Sequence, residues 1–165
     1  MTQAEKAISQ NNSATNAVVA VLQTQLANSF LMYLNYKHYH WQTFGPLFRD
    51  LHHLFDEFSA EVLESTDEFA ERIRMIGQNP IARLEEITKT GTVAAAKKDE
   101  NMQEMITEAN QNCIVIIKEM RDGIKVSDDS GDPGTADLLT RYVQVYEKQE
   151  WFLRQLLEKK DGLTE

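Results

Sequence analysis

Apolar residues recur every three or four positions along four long segments of this 165-residue chain. That spacing places apolar side chains on one face of an α-helix, and no segment alternates convincingly as a β-strand would. Breaks containing glycine and proline separate the segments, at Gly45-Pro46, between Gly77 and Pro80, and between Gly131 and Gly134. The pattern therefore predicts an all-α protein built from four long amphipathic helices.

The lengths of the connections predict how these helices are arranged. The first and last connections are short, so each joins an antiparallel pair. The middle connection, roughly Gln78 to Lys98, is long and contains a helical fragment near Ile81 to Ile87. Such a crossover is typical of the ferritin-like four-helix bundle, although cytokine-type bundles also use long crossovers. We predict one ferritin-like domain over residues 1–165, with a flexible N-terminal tail over about 1–15 and a C-terminal tail over about 159–165.

Charge and cysteine content restrict the classes of partner and compartment. The chain has 26 acidic and 17 basic residues, a net charge of −9, which attracts cations and argues against a general nucleic-acid binder. Its one cysteine, Cys113, excludes an internal disulfide and lies in an apolar run, where a small buried side chain is expected rather than a reactive thiol. No apolar run approaches the ~18 to 20 residues of a membrane span, and the N-terminus does not resemble a signal peptide. We therefore expect a cytoplasmic protein without a membrane partner.

The candidate metal ligands form two pairs on the second predicted helix. His52 and Asp56 are four residues apart, as are Asp67 and Glu71, so each pair lies on one helix face. The ordinary di-iron bundle uses a Glu-x-x-His motif on each of two helices. This sequence contains no such motif, which argues against an intrachain di-iron site and against a di-iron oxygenase.

The distance between the two pairs predicts a site shared by two chains. Eleven residues separate Asp56 from Asp67, which corresponds to ~20° around the helix axis but ~16 Å along it. Metal–ligand bonds are ~2 Å long, so the two pairs of one chain cannot hold the same metal. Two helices packed antiparallel about a two-fold axis would place Asp56 opposite the partner subunit's Asp67, giving two sites per dimer.

The alternative is that these residues are merely solvated or hydrogen-bonded and share a face by chance. Against it, the acids interrupt an otherwise aromatic and apolar pattern, and a buried carboxylate is costly unless a cation compensates it. We therefore expect the acids to lie on the buried face of the second helix, which also counts against a metal-free helical interaction module.

A longer motif surrounds these residues. The segment HWQTFGPLFRDLHHLFDEF, followed by ESTDEFAERIRMIG, resembles the signature of the Dps proteins, mini-ferritins named for DNA protection in starved cells. The intervals of 12, 4, 11 and 4 residues between the candidate ligands agree with that signature. The crossover fragment and the TADLLT segment at 135–140 are also similar. The resemblance implies that the ferroxidase ligands are His40, His52, Asp56, Asp67 and Glu71.

The resemblance further implies a hollow dodecamer that oxidises Fe(II) and stores ferric mineral inside, without an organic cofactor. Each site would take two irons, with hydrogen peroxide as the usual oxidant and O2 as the other. Asp67, Glu71 and the partner subunit's His40 would hold the tighter iron, while His52 and Asp56 would help to hold the weaker one. Trp41 would lie beside the site, where an indole can accept a stray oxidising equivalent or simply pack.

Other residues correspond to the route that iron takes in the family. Asp137 matches the family's pore acid, followed by Asp132 and Asp128, although capping of the last helix is the alternative explanation for Asp132. A second acidic stripe is turned ~100° from the ligand face and is either a surface for mineral nucleation or a plain solvated face. It consists of Glu57, Glu61 and Glu64. His38 and His53 lie outside the motif, and we interpret them as surface residues or neighbours of the ligands.

The termini depart from the pattern of DNA-binding members, which carry several lysines or arginines at the N-terminus. This chain has only Lys6 there, beside Glu5, and its C-terminal end sets Lys159 and Lys160 against three acids. Neither end can neutralise many phosphates. We expect weak or absent DNA binding. The alternative function is a DNA-compacting, nucleoid-associated protein whose iron chemistry is secondary.

Overall fold

A computed structural model describes residues 3–98 and 100–158, with side chains from residue 14 onwards. Within those residues there is no β-strand, and the chain forms four long helices and one short one. They are α1 (Gln3–Gln42), α2 (Phe48–Met75), α3 (Leu84–Thr90), α4 (Met102–Asp129) and α5 (Pro133–Leu157). The prediction of an all-α bundle with a short helix in the long crossover between the second and third long helices is confirmed. The short helix begins three residues later than predicted.

The bundle consists of two hairpins, because α1 packs mainly on α2 and α4 mainly on α5, while α1 and α4 join the hairpins. Large side chains that are fully buried fill the space between them: Tyr36, Tyr39, Phe55, Phe58, Phe69 and Tyr146. Cys113 is also fully buried, 3.2 Å from the hydroxyl of Tyr36. Burial raises the pKa of this thiol to about 12, and the prediction of a small buried side chain at this position is confirmed.

Three buried asparagines attach the crossover to the bundle. Asn28 accepts a hydrogen bond from the backbone N–H of Thr92 at 2.8 Å, and Asn35 accepts one from Ala96 N–H at 2.8 Å. On α4, the side chain of Asn112 both accepts from Ala94 N–H and donates to Ala94 O, each at 3.0 Å. A carboxamide can satisfy a backbone donor and acceptor together. These residues therefore replace the hydrogen bonds that an irregular segment lacks when it packs on helices.

The described residues near the two ends of the chain can be compared with the predicted tails. Helix α1 begins at Gln3, inside the stretch of about 1–15 predicted as a tail. The predicted C-terminal tail, with Lys159 and Lys160, lies outside the described residues, as do the side chains of Glu5 and Lys6. The division into one domain with two tails stays a prediction.

Helix α1 is more apolar than the sequence analysis expected. The segment Ala14–Gln42 is long and apolar enough to cross a membrane, judged by length and composition alone. The expectation that no segment approaches this length is therefore wrong. A helix that packs on several neighbours in a bundle can also be this apolar, because its side chains are apolar wherever they contact those neighbours. In α1, Leu22, Leu26 and Met32 are buried in the bundle core.

Candidate metal centre

A tight turn between α1 and α2 brings the first candidate ligands together. Gly45 has a φ of +87°, which a residue without a Cβ adopts readily. The N–H of Phe48 donates to Gly45 O at 3.0 Å and closes a turn with Pro46 at its second position. Because the chain reverses within a few residues, His40 near the end of α1 lies beside His52 in the second turn of α2.

His40 and His52 form a reciprocal pair. Their rings stack with centroids 3.6 Å apart and planes inclined by 21°. Nδ1 of His40 lies 2.7 Å from the backbone oxygen of His52, and Nδ1 of His52 lies 2.9 Å from the backbone oxygen of His40. A carbonyl oxygen only accepts, so each Nδ1 carries the proton and donates it. A ring that carries its proton on Nδ1 can offer Nε2 to a metal.

Asp56 lies one turn after His52 and contacts a lysine. The ammonium of Lys37 donates to Asp56 Oδ1 at 2.6 Å. The hydrogen bond from Lys37, the charge of Lys37 and the nearby His40 and His52 together hold the pKa of Asp56 below its ordinary value. Asp56 is therefore an ionised carboxylate beside two imidazoles, with an ammonium on one of its oxygens.

Lys37 is the residue that the sequence analysis missed. It precedes His40 by three positions and thus shares its helix face, a signal that was present in the sequence. Its Nζ also lies 6.0 Å from the centre of the Trp41 ring, which is 67% exposed. Lys37 therefore links the Asp56 carboxylate to the indole that the family resemblance places beside the site.

The second pair of candidate ligands lies farther along the same helix. Asp67 and Glu71 are exposed, and neither has a hydrogen bond or ion pair with any described residue. Helix α2 is continuous from Phe48 to Met75, so the separation of ~16 Å between Asp56 and Asp67 along its axis holds. Among residues 3–98 and 100–158, no three histidine, cysteine or acidic side chains are close enough to hold one metal.

The assumption that the acids lie on the buried face of α2 is wrong. Phe55, Phe58 and Phe69 are buried, whereas Asp56 and Asp67 are exposed. Helical phase explains the difference, since Asp56 and Asp67 lie about 100° and 120° around the axis from Phe55. One protomer thus presents two polar half-sites on an accessible face. Their union with a second copy stays a prediction.

The predicted pore acids differ in their contacts. Asp132 caps α5, accepting from Thr135 N–H at 3.0 Å and from the Thr135 hydroxyl at 2.7 Å, and it pairs with Arg72 of α2. In the protomer, the Asp132 carboxylate therefore caps α5, which was the alternative interpretation. The side chain of Asp137 is 78% exposed and 3.9 Å from Arg141, and Asp128 is also exposed. A pore role for these three residues stays a prediction.

The cap gives a prediction about stability. Burial opposes ionisation of Asp132, but the bonds from Thr135 and the charge of Arg72 outweigh it and lower its pKa. Asp132→Ala should lower the free energy of unfolding by about 1–2 kcal/mol at pH 7, as lost caps do. Asp132→Asn keeps the cap acceptor and should lose less.

The pH dependence distinguishes the charge from the cap. A carboxyl with a lowered folded pKa stabilises fully above its unfolded pKa of about 3.9, and this contribution disappears as the pH falls through the folded pKa. The difference between wild type and Asp132→Asn should therefore shrink below about pH 4. Denaturant unfolding at several pH values measures it. A difference that is equal at pH 7 and pH 3 would show that the charge is irrelevant.

The second acidic stripe is not uniform. Glu61 accepts from Lys148 at 3.0 Å and from Gln149 at 2.9 Å, so α5 engages both of its oxygens. Glu57 and Glu64 are exposed. Mineral nucleation by this stripe stays a prediction. Glu57 and Glu64 are the members whose carboxylates α5 does not engage.

The extra histidines are neighbours of other residues in the protomer. His53 is exposed and meets His52 edge to face at 5.9 Å. His38 is partly buried and meets Tyr39 at 6.0 Å. These contacts agree with the interpretation of both as surface residues or neighbours of the ligands.

Comparisons with known proteins place this fold in a family. The ferritin-like domain family matches residues 19–162. DNA protection during starvation protein 1 of Deinococcus radiodurans is 33% identical over 142 residues, which cover 86% of this chain and 69% of that protein. The X-ray structure of Dps from Thermosynechococcus elongatus has a TM-score of 0.91 at 43% identity, covering 94% of this chain and 99% of that one.

A third similarity concerns the metal chemistry. The crystal structure of the DPS protein from Vibrio cholerae O1, described as a member of a broad superfamily of ferritin-like diiron-carboxylate proteins, has a TM-score of 0.83 at 25% identity. It covers 88% of this chain and 92% of that one. From the extent of these matches and the resemblance around the histidine pair, we conclude that this chain belongs to the Dps family of ferritin-like proteins.

Proposed function

We propose that the protein stores iron and limits oxidative damage by oxidising Fe(II) at sites shared between two subunits. The observation that carries this proposal is the pairing of His40 and His52 beside the ionised Asp56 on an exposed face of the bundle. Membership of a family with diiron-carboxylate relatives supports iron as the substrate. Asp67 and Glu71 of the partner subunit supply the ligands that this half-site lacks.

The ligand types suit both oxidation states of iron. Imidazole nitrogens bind Fe(II), while carboxylate oxygens suit the harder Fe(III). Five ligands for two irons leave coordination positions open to an oxidant. Two Fe(II) give two electrons to one hydrogen peroxide, which takes up two protons and leaves as two waters. The reaction therefore consumes both reagents from which hydroxyl radicals form.

In the proposed dimer, two copies of α2 run antiparallel across a two-fold axis near Glu61 and Val62. Asp67 and Glu71, with the partner subunit's His40, hold the tighter iron, and His52 and Asp56 help to hold the weaker one. Because the ammonium of Lys37 pairs with Asp56 Oδ1, the weaker iron binds this carboxylate beside an existing positive charge. Trp41 is exposed next to this carboxylate. When a site holds too few Fe(II) ions to reduce an oxidant completely, its indole can donate the missing electron.

Membership of the Dps family supports a proposal for assembly and location. We propose a homododecameric cage in the cytoplasm that collects ferric mineral in its cavity, with entry past Asp137. Each dimer contributes two sites, so oxidation takes place at the contacts between subunits.

The test is to add Fe(II) anaerobically and then hydrogen peroxide, following ferric absorbance together with particle size by sedimentation. The protein should oxidise iron faster than buffer alone and retain the product in a particle of constant size. Oxidation no faster than in buffer, or ferric precipitate outside the particle, would overturn the proposal.

The DNA-compacting alternative gives a separate prediction. The metal-free protein should not shift plasmid in a gel at neutral pH and moderate salt, because a chain with a net charge of −9 repels phosphates. A basic DNA-binding protein run alongside serves as the positive control. A clear shift under these conditions would favour the nucleoid function.

A further inference from the structure

Phe48, the first residue of α2, is not among the predicted ligands but contacts one of them. It precedes His52 by four positions, so the two side chains share one face of the helix. Their rings are stacked, with centroids 5.1 Å apart and planes inclined by 26°. The side chain of Phe48 is 47% exposed, and His52 is the one ring that it contacts among the described residues.

The His52 ring lies between two other rings. The centroid of His40 is 3.6 Å away and that of Phe48 is 5.1 Å away, both in stacked geometry. Two rings stacked on the same face at these distances would have to touch each other. The structure describes both His40 and Phe48, and they make no ring contact. The two rings therefore cover opposite faces of the imidazole.

One edge of the His52 ring is held as well. Its Nδ1 lies 2.9 Å from the backbone oxygen of His40, and no described residue forms a hydrogen bond with its Nε2. The side chain remains partly exposed. With both faces covered and Nδ1 bonded, Nε2 is the nitrogen that is left for a metal.

We propose that Phe48 is a positioning residue for His52, whose imidazole plane it fixes so that Nε2 stays accessible to the weaker iron. This inference rests on the proposed function, in which His52 helps to hold that iron. Rotation of His52 about its Cβ–Cγ bond would drive the ring edges into His40 or Phe48, so the ring cannot turn unless a neighbour moves. A ligand that is already fixed loses less conformational entropy when the metal binds, which raises the affinity.

The two histidines are not restrained equally. Among the described residues, His40 has a ring on one face only, that of His52, whereas His52 is held on both faces. The weaker iron, to which His52 is assigned, binds near the ammonium of Lys37, which repels a cation. The more rigid ligand thus belongs to the iron that meets this repulsion, and its rigidity offsets part of the loss in affinity.

The metal-free protein tests the positioning itself. Solid-state ¹⁵N NMR of sedimented, histidine-labelled protein distinguishes a ring that carries its proton on Nδ1 from one that carries it on Nε2. In the wild type, the signal that disappears in His52→Ala should be that of the Nδ1–H form. Phe48→Leu replaces a flat ring by a flexible chain that is no worse a helix former, and His52 should then show a mixture of both forms. Phe48→Tyr keeps the ring and should match the wild type.

Anaerobic Fe(II) titration, followed by Trp41 fluorescence in a Trp151→Phe background, tests the consequence. Phe48→Leu should weaken binding of the second iron about tenfold, the lower end of the cost of losing a group that supports a metal ligand. Binding of the first iron should not change. The matched control is Phe44→Leu, because Phe44 is 56% exposed in the turn before α2 and makes no ring contact with a described residue.

The outcomes separate this inference from the proposed function. Unchanged His52 signals in Phe48→Leu, or an unchanged affinity for the second iron, would overturn the inference alone. An equal loss of affinity in Phe44→Leu would overturn it too, since any change in the turn would then suffice. A wild type that takes up no second iron would refute the proposed function, while the NMR comparison would still decide whether Phe48 fixes the ring.

Discussion

Asp67→Ala is expected to slow Fe(II) oxidation at least tenfold while the particle sediments unchanged, and His52→Ala should do the same. Loss of a residue that merely supports a metal ligand already costs about 10- to 100-fold, so loss of the ligand costs no less. Assembly should persist because both side chains are polar and at least partly accessible in the protomer. The initial rate of ferric absorbance after peroxide addition, with sedimentation in parallel, measures both effects.

Mixing these two variants tests the shared site directly. In a dimer of one His52→Ala chain and one Asp67→Ala chain, one site contains both lesions and the other contains neither. After random exchange of subunits at equal amounts, about a quarter of all sites should be intact, so activity should return to about a quarter of wild type. Sites contained within one chain would regain nothing.

The matched control mixes His52→Ala with Asp56→Ala. Both lesions belong to the same half-site, so every site in every dimer carries one of them and no activity should return. Recovery in this control, or no recovery in the first mixture despite verified exchange, would refute the assignment of the ligands to two chains.

Lys37→Met should tighten binding of the second, weaker iron roughly tenfold, since two cations held close together repel even in water. In the wild type the ammonium lies 2.6 Å from Asp56 Oδ1, so an iron bound to that carboxylate lies close to a second positive charge. Anaerobic Fe(II) titration should show the change through quenching of Trp41. The chain has two tryptophans, so a Trp151→Phe background isolates the signal.

Lys37→Arg is the control, because it keeps the charge and should leave the affinity close to that of wild type. Weaker binding of the second iron by Lys37→Met would contradict the prediction. It would mean that Lys37 orients Asp56 for the metal and does not compete with it.

Sequence periodicity predicted the helices and the spacing of the ligands because both follow from the geometry of a single helix. The pairing of His40 with His52 depends in addition on the turn at Gly45, and the family signature identified both residues without showing how they meet. Lys37 was not foreseen, since its contact with Asp56 joins two helices across nineteen positions. Contacts of that kind are set by packing, which periodicity alone does not describe.

Two other features differ in whether the sequence could have predicted them. The orientation of Asp56 and Asp67 could have been predicted, because their helical phase relative to Phe55 is fixed by their spacing. The role of the asparagines that hold the crossover could not have been predicted. Asn28 and Asn35 interrupt an apolar helix, and no sequence pattern indicates which residues they contact. Their role emerges only when an irregular segment packs against them and needs its backbone groups satisfied.

The uninterrupted α2 also limits how this protein can change over evolutionary time. One residue inserted between Asp56 and Asp67 would turn the second half-site by ~100° about the axis, and a deletion would turn it as far the other way. Each error would appear twice in a two-fold dimer, since both subunits carry it. The stretch between the two carboxylates therefore fixes their relative position: its exposed residues can be exchanged for other helix formers, but a change in its length would misalign the two half-sites.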